Sequence, residues 1–361
     1  MIDAGRFFVP GPTEVRPDVL AAMAQPMIFH RSREMEALMR RVNTGLGHVF
    51  GTRRTVHVVT GSGTAAMELA IRGGTKQRVL SVVHGDFGER FAKMAEACGR
   101  TVTRLTAQPG DVVPLDHIRD SLRGAEFDAV TVTYSETALG VLADVESIAR
   151  VVREARPECL ILVDAVSAAG AIPLRVDEWG IDAAVSASQK ALALPPGLAF
   201  AAVSQRFVER ARAVPDRGIY LDVIRYEEFA NKAQSPTTPA VSLLFALDKQ
   251  MADVELETLE RRFARHVAMR DACTAWVERA EAAALGVRLV ARPGNRSPSV
   301  TCIETDQQKA ILERMREQGY ELGGGQAPMA KNSIRVGHMG DHTVAGVEGM
   351  LEVLERVLRT L

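Results

Sequence analysis

Three scarcities narrow the field before any motif is considered. The four cysteines, Cys98, Cys159, Cys273 and Cys302, lie far apart in 361 residues and form no CxxC pair. That spacing reads as free thiols in a reducing cytosol rather than as a disulfide framework. Excess charge is missing as well: the net charge is −1 and the pI about 6.7, so the chain lacks the basic footprint of a nucleic-acid-binding protein. Long apolar runs are the third absence, since nothing approaches the roughly eighteen uncharged residues of a membrane span. The start, MIDAGRFFVPGP, carries Asp3 and no apolar segment of useful length. Secretion and membrane insertion are therefore not expected, and a cytoplasmic protein is.

The chain does have 47% apolar content, enough for one large core and a smaller second one. Only seven of its 44 basic residues are lysines, and one of them ends an apolar run. The segment Leu160 to Val163 reads as a buried parallel strand that delivers Asp164 at its C-terminal end, and Ala183 to Val185 is a second such run that leads to Lys190. A turn-capping aspartate and a surface lysine would explain both. The alternative is a buried acid and a buried amine facing one site. An amine among apolar neighbours titrates low enough to act as a nucleophile. It can hold an aldehyde as a Schiff base while the acid pairs with a pyridine nitrogen, which is how pyridoxal phosphate is bound.

Upstream, helical spacing over Glu34 to Phe50 precedes a strand, Thr55 to Val59, that runs into Thr60-Gly61-Ser62-Gly63-Thr64-Ala65-Ala66. A glycine-rich turn opening a helix is an anion site, and phosphate is its natural occupant. The same turn fits G-x-G-x-x-A, with Asp86 at the distance of a ribose-binding acid, so a nicotinamide-dependent oxidoreductase is the rival of a different class. Against it, the fingerprint begins only after residue 60, Ser62 and Thr64 add hydroxyls suited to a monophosphate, and Lys190 is left without a use. Phe87 follows the strand Val79 to Val83 and either stacks on a flat ring or fills the core at a helix start. Further strand and helix pairs, 101–106 with 115–122 and 129–133 with 145–155, give an α/β, mostly parallel, doubly wound sheet. Beyond the irregular loop Gln234 to Pro239, helical periodicity runs from Ala240 to about Ala280. The last residues read as a smaller C-terminal α+β domain with strands at 299–303 and 333–336 and a helix at 307–318. His338 and His342 would need a helix to share a metal, and Gly337 and Gly340 argue against one, so no metal is expected.

The stretches VDAVSAAGA and SASQKALALPPGLAF resemble the class V aminotransferases of fold type I, the alanine–glyoxylate and serine–pyruvate group. The likeness runs from PGPTEVRP near residue 10 to IRVGHMGD near residue 340. It implies a homodimer with shared active sites and pyridoxal 5′-phosphate linked to Lys190, with Asp164 on the ring nitrogen. Phe87 would stack on one ring face, where the family often has tryptophan, and Val166 would pack on the other. Ser62, Gly63, Thr64 and Gln189 would hold the phosphate, together with Thr237 or Thr238 of the partner subunit. Tyr134-Ser135-Glu136-Thr137-Ala138-Leu139-Gly140 resembles the family's S-E-T/S-x-x-G segment, which implies that Thr137 meets the phenolic oxygen. A structural turn would explain Gly140 equally well, and a solvated position would explain Glu136.

For the substrate, the resemblance implies contacts from Gly11 in the rigid Pro10-Gly11-Pro12 segment and from Phe29, which reaches the partner's site. An arginine in the apolar strand Ile334-Arg335-Val336 needs an anionic partner. A structural ion pair is one reading, and by resemblance a clamp on the α-carboxylate is the other. A small donor, alanine or serine, and a small keto acid, glyoxylate or pyruvate, are then expected. A 2-aminoethylphosphonate–pyruvate transaminase is the alternative, because a phosphonate could use the same clamp. The chain divides accordingly into an arm over residues 1–15, a large cofactor-binding domain over 16–250 and a small domain over 251–361. Residue 187 is alanine, so the serine of an S-x-x-K acyl-transfer motif is missing. Cys302, inside an apolar strand, is a poor candidate for desulfurase chemistry.

Overall fold

The computed structural model describes residues 5–361, so Asp3 and the first four residues of the arm lie outside the described residues. A seven-stranded sheet runs in the order Val56–Thr60, Leu198–Val203, Ala183–Ala187, Leu160–Asp164, Ala129–Thr133, Arg78–Val83, Thr101–Thr106. All neighbours are parallel except the Leu198–Val203 strand, which is antiparallel to both of its partners.

Alternation along the strands explains the two layers that flank the sheet. Ile161, Val163, Val130, Val132 and Phe200 face one core, while Leu160, Leu162, Ala129, Val185 and Ala201 face the other. Both faces are dry, so these strands read as continuous apolar runs rather than alternating ones. The edge strand Thr101–Thr106 is only half buried and is correspondingly threonine-rich.

A five-stranded second sheet is ordered Phe7–Phe8, Glu321–Gly324, Ser333–Gly337, Val300–Glu304, Arg288–Leu289. Its core gathers Phe8, Ile303, Ile334 and Val336 against Trp276, Met315 and Leu354 of three helices. The continuous helix expected from residue 240 to about 280 is two helices, Val241–Glu257 and Leu259–Ala282. They break at Thr258, whose φ of 65° is left-handed and whose side chain accepts from Arg261 N at 3.4 Å. No glycine or proline marks that break. Val254 before it belongs to the large-sheet core, and Met269 after it belongs to the small one. Met339, in the turn after Ser333–Gly337, crosses back to plug the large core.

No helix among the described residues is long and apolar enough to cross a membrane. His338 pairs with Thr301 Oγ1 at 2.9 Å and His342 donates to the Phe7 carbonyl at 3.1 Å, so the two histidines have separate partners.

Candidate active site

Parallel strands open their C-terminal ends on one side of the sheet, where loops are free to converge. Asp164 ends its strand there and is 3% exposed. Its carboxylate accepts from Val166 N at 2.9 Å and from Thr133 Oγ1 at 3.3 Å. Burial raises its pKa to about 6, against these hydrogen bonds and the nearby Lys190 charge.

Lys190 follows the neighbouring strand and is 8% exposed. Its amine donates to the Pro10 carbonyl and lies 6.0 Å from the centre of the Phe87 ring. Desolvation, then repulsion from Arg335, lowers its pKa to about 8. Gly11 must be glycine here: its φ is +111°, and a Cβ would stand 2.5 Å from Lys190 Nζ. The main chain of Lys190 is held too, since Thr13 donates from Oγ1 to the Lys190 carbonyl at 2.9 Å and from N to the Gln189 carbonyl at 3.0 Å.

Ser62 caps the helix Gly63–Gly74 with no bond from its side chain to the helix. The helix start therefore leaves its first N–H groups without a side-chain cap and the Ser62 hydroxyl uncommitted to the helix. A Cβ on Gly63 would lie 2.9 Å from Val166 Cγ2, so the turn is pressed against the loop after Asp164. Gln189 keeps a buried Oε1 without a hydrogen-bond partner. Thr137 Oγ1 meets Ser167 Oγ at 2.6 Å. Phe87 lies in the first turn of the helix Asp86–Ala97, and the Arg90 guanidinium sits 4.5 Å from its ring centre.

Glu136 is not solvated; it is 0% exposed and works as a cap for the Phe87 helix. The helix N-cap is Gly85, which has no side chain, and Glu136 accepts from Phe87 N at 3.1 Å, Gly88 N at 3.0 Å and Ala138 N at 3.0 Å. Its cap role was hidden in the sequence because it acts across about fifty residues, on a helix start that looks uncapped.

Arg335 is half buried without an ion pair among the described residues, so a structural salt bridge is not its role. Its fork donates to the Gly324 carbonyl at 2.7 Å, Gln326 Oε1 at 2.8 Å and the Thr137 carbonyl at 3.4 Å. Desolvation lowers its pKa, against the pull of Cys302, Glu136 and Asp86, none of which forms an ion pair with it.

Among the described residues, Phe29, Thr237 and Thr238 form no hydrogen bond or ring contact with this chain's Lys190, whose amine meets Pro10 and Phe87. Phe29 is 65% exposed, beside Met27 at 68%. Arg31 ties that segment to the loop before Thr237, through Gln234 Oε1 at 3.1 Å and the Ser235 carbonyl at 2.6 Å.

Comparison with known proteins follows the same outline. The family model for Aminotransferase class-V matches residues 8–315. An L-aspartate–glyoxylate aminotransferase of Paracoccus denitrificans is 30% identical over 100% of this chain and 93% of its own length. A serine–glyoxylate aminotransferase of Methylorubrum extorquens is 31% identical over 92% of this chain and 86% of its own. The crystal structure of an alanine–glyoxylate aminotransferase from a Nostoc species superposes with a TM-score of 0.90 at 29% identity, covering 99% of this chain and 97% of that one.

Proposed function

The chain belongs to the class V aminotransferases, an assignment that implies pyridoxal 5′-phosphate and amino and keto acid substrates, and on that premise we propose that it moves the amino group of alanine or serine to glyoxylate or pyruvate. The oxidoreductase reading falls with that membership. The observation that carries the proposal is Arg335, a half-buried guanidinium with no ion pair among the described residues that shares one site with the lowered amine of Lys190. An α-carboxylate fits such a fork with two parallel bonds. The close approach of Gly11 to Lys190 leaves little room beside it, which favours a short side chain.

The residues present fit the cofactor. The helix start at Ser62, Gly63 and Thr64, with Gln189, would hold the phosphate, and Asp164 would hold the ring nitrogen. Phe87 and Val166 would cover the two ring faces, and Thr137 would meet the phenolic oxygen. When bound, pyridoxal 5′-phosphate supplies the aldehyde that takes up the amino group and a ring that withdraws electrons from the reacting carbon. Lys190 would be its attachment point and, once released by the amino substrate, the base whose Nζ takes the α-proton. With its pKa lowered to about 8, a useful fraction of that amine is neutral near neutral pH. Asp164, buried and raised to about 6, is still ionised there and can keep a proton on the ring nitrogen.

The proposal includes a homodimer with shared sites and a cytosolic location. The exposed Met27–Phe29 segment joined through Arg31 to the loop before Thr237 supports the first, and four unpaired cysteines support the second. Glyoxylate recurs in the names of the three relatives while the amino donor varies, so the acceptor has more support than the donor. None of those names supports 2-aminoethylphosphonate. A panel of alanine, serine, aspartate and 2-aminoethylphosphonate against glyoxylate, pyruvate and 2-oxoglutarate tests the proposal. Alanine or serine with glyoxylate or pyruvate is expected to give the highest kcat/KM. Turnover confined to aspartate or to the phosphonate overturns it.

A further inference from the structure

We propose that Arg262 is a positioning residue that fixes the main chain carrying Lys190. The inference rests on the reading of Lys190 given above. Arg262 is the largest of the fully buried side chains among the described residues, is 2% exposed, and lies in the first turn of Leu259–Ala282. A cation there is costly unless every donor is used.

Two of its donors reach backbone carbonyls in the loops that follow Asp164 and Lys190. Nε donates to the Gly170 carbonyl at 3.0 Å, in the loop after Asp164, and Nη2 donates to the Ala191 carbonyl at 2.6 Å, one residue past Lys190. The same fork meets Asp341 at 3.1 Å, in the turn after the strand Ser333–Gly337, and Glu257 at 2.8 Å, just before the break at Thr258. That turn lies on the lysine loop itself: a Cβ on Gly340 would stand 3.2 Å from Ala193 Cβ and 3.7 Å from the Lys190 carbonyl. One planar group thus joins the two loops that bear the acid and the amine to the corner between the helices and to the small sheet. A lysine has one nitrogen and cannot span these directions. Catalysis is sensitive to displacements of about 1 Å, so loosening Ala191 should move the amine out of line.

The test uses purified holoenzyme of the wild type, Arg262→Lys and Asp341→Asn. Cofactor release on dialysis is followed first in the aldehyde form and then after an amino donor has converted it to the amine form, which makes no bond to Lys190. Arg262→Lys is expected to speed release of the aldehyde form by about tenfold or more and of the amine form by less than about threefold. Its kcat should fall about tenfold, with KM for the donor nearly unchanged. Asp341→Asn leaves both carbonyl bonds in place and should lower Tm without this selectivity. Equal acceleration of both forms in Arg262→Lys, or the selective loss appearing in Asp341→Asn, overturns the proposal. If Arg262→Lys does not fold, Thr13→Val removes the side-chain hydrogen bond on the neighbouring Lys190 carbonyl and loosens the same main chain. It should show the same selectivity, and its absence overturns the proposal equally. A wild type that retains neither form sinks the cofactor reading instead.

Discussion

Glu136 holds a carboxylate in a fully buried position, close enough to Asp164 for repulsion and facing three N–H donors. Burial dominates and raises its pKa from 4.5 to about 7. A group raised in the folded state binds its proton more tightly there than when unfolded. Its contribution to stability is therefore complete below about 4.5 and is lost as pH rises through about 7. Glu136→Gln removes that titration but presents an amide to the N–H groups of Phe87, Gly88 and Ala138. Urea unfolding of cofactor-free protein at about pH 5 and about pH 8 should show a variant that is less stable than wild type at the lower pH. The gap should shift in the variant's favour by on the order of 1–3 kcal/mol at the higher pH. A gap that does not change with pH would show that Glu136 titrates normally. Asp164, raised for the same dominant reason, adds a pH slope that both proteins share.

Among the elements, the strands ending in Asp164 and Lys190 and the turn at Ser62–Gly63 could be read in advance because each is local: an apolar run followed by a functional residue. The antiparallel strand Leu198–Val203 was not, since its six residues are apolar on both faces and nothing in them records direction. The break at Thr258 was hidden by uninterrupted helical periodicity, and the roles of Glu136 and Arg262 by partners 48 to 92 residues away. Arg335 was legible as a cation in an apolar strand, whereas its lack of an ion pair among the described residues is a tertiary fact. The Ser62–Gly63 turn also carries a prediction. Gly63 has no positive φ, so Gly63→Ala costs only through contact, with Val166 Cγ2 at 2.9 Å and Ala187 Cβ at 3.2 Å. A destabilisation of about 1–3 kcal/mol is expected, and cofactor retention should weaken because Val166 is pushed toward the ring's place. Gly124→Ala, with nothing within 4 Å at a helix end, is the control and should be neutral or slightly stabilising. Equal melting temperatures for the two variants would mean the contact is relieved at no cost.

At the scale of the whole molecule, one chain offers Lys190, Asp164 and Arg335 in a single site, yet leaves Phe29 65% exposed and sets it beside the loop before Thr237 through Arg31. An exposed aromatic tied to a polar loop is unexplained within one subunit and natural if a two-fold axis brings both to the partner's site. Mixing Lys190→Ala with Thr237→Ala subunits tests this. In a heterodimer one site would combine both substitutions and the other would carry neither, because its lysine and its threonine come from different chains. Random exchange then restores roughly a quarter of all sites. Activity should rise above that of either parent in proportion to the heterodimer fraction, measured with differently tagged chains. If exchange is demonstrated and activity stays at the parental level, Thr237 serves its own chain, and the exposed Phe29 segment needs another partner.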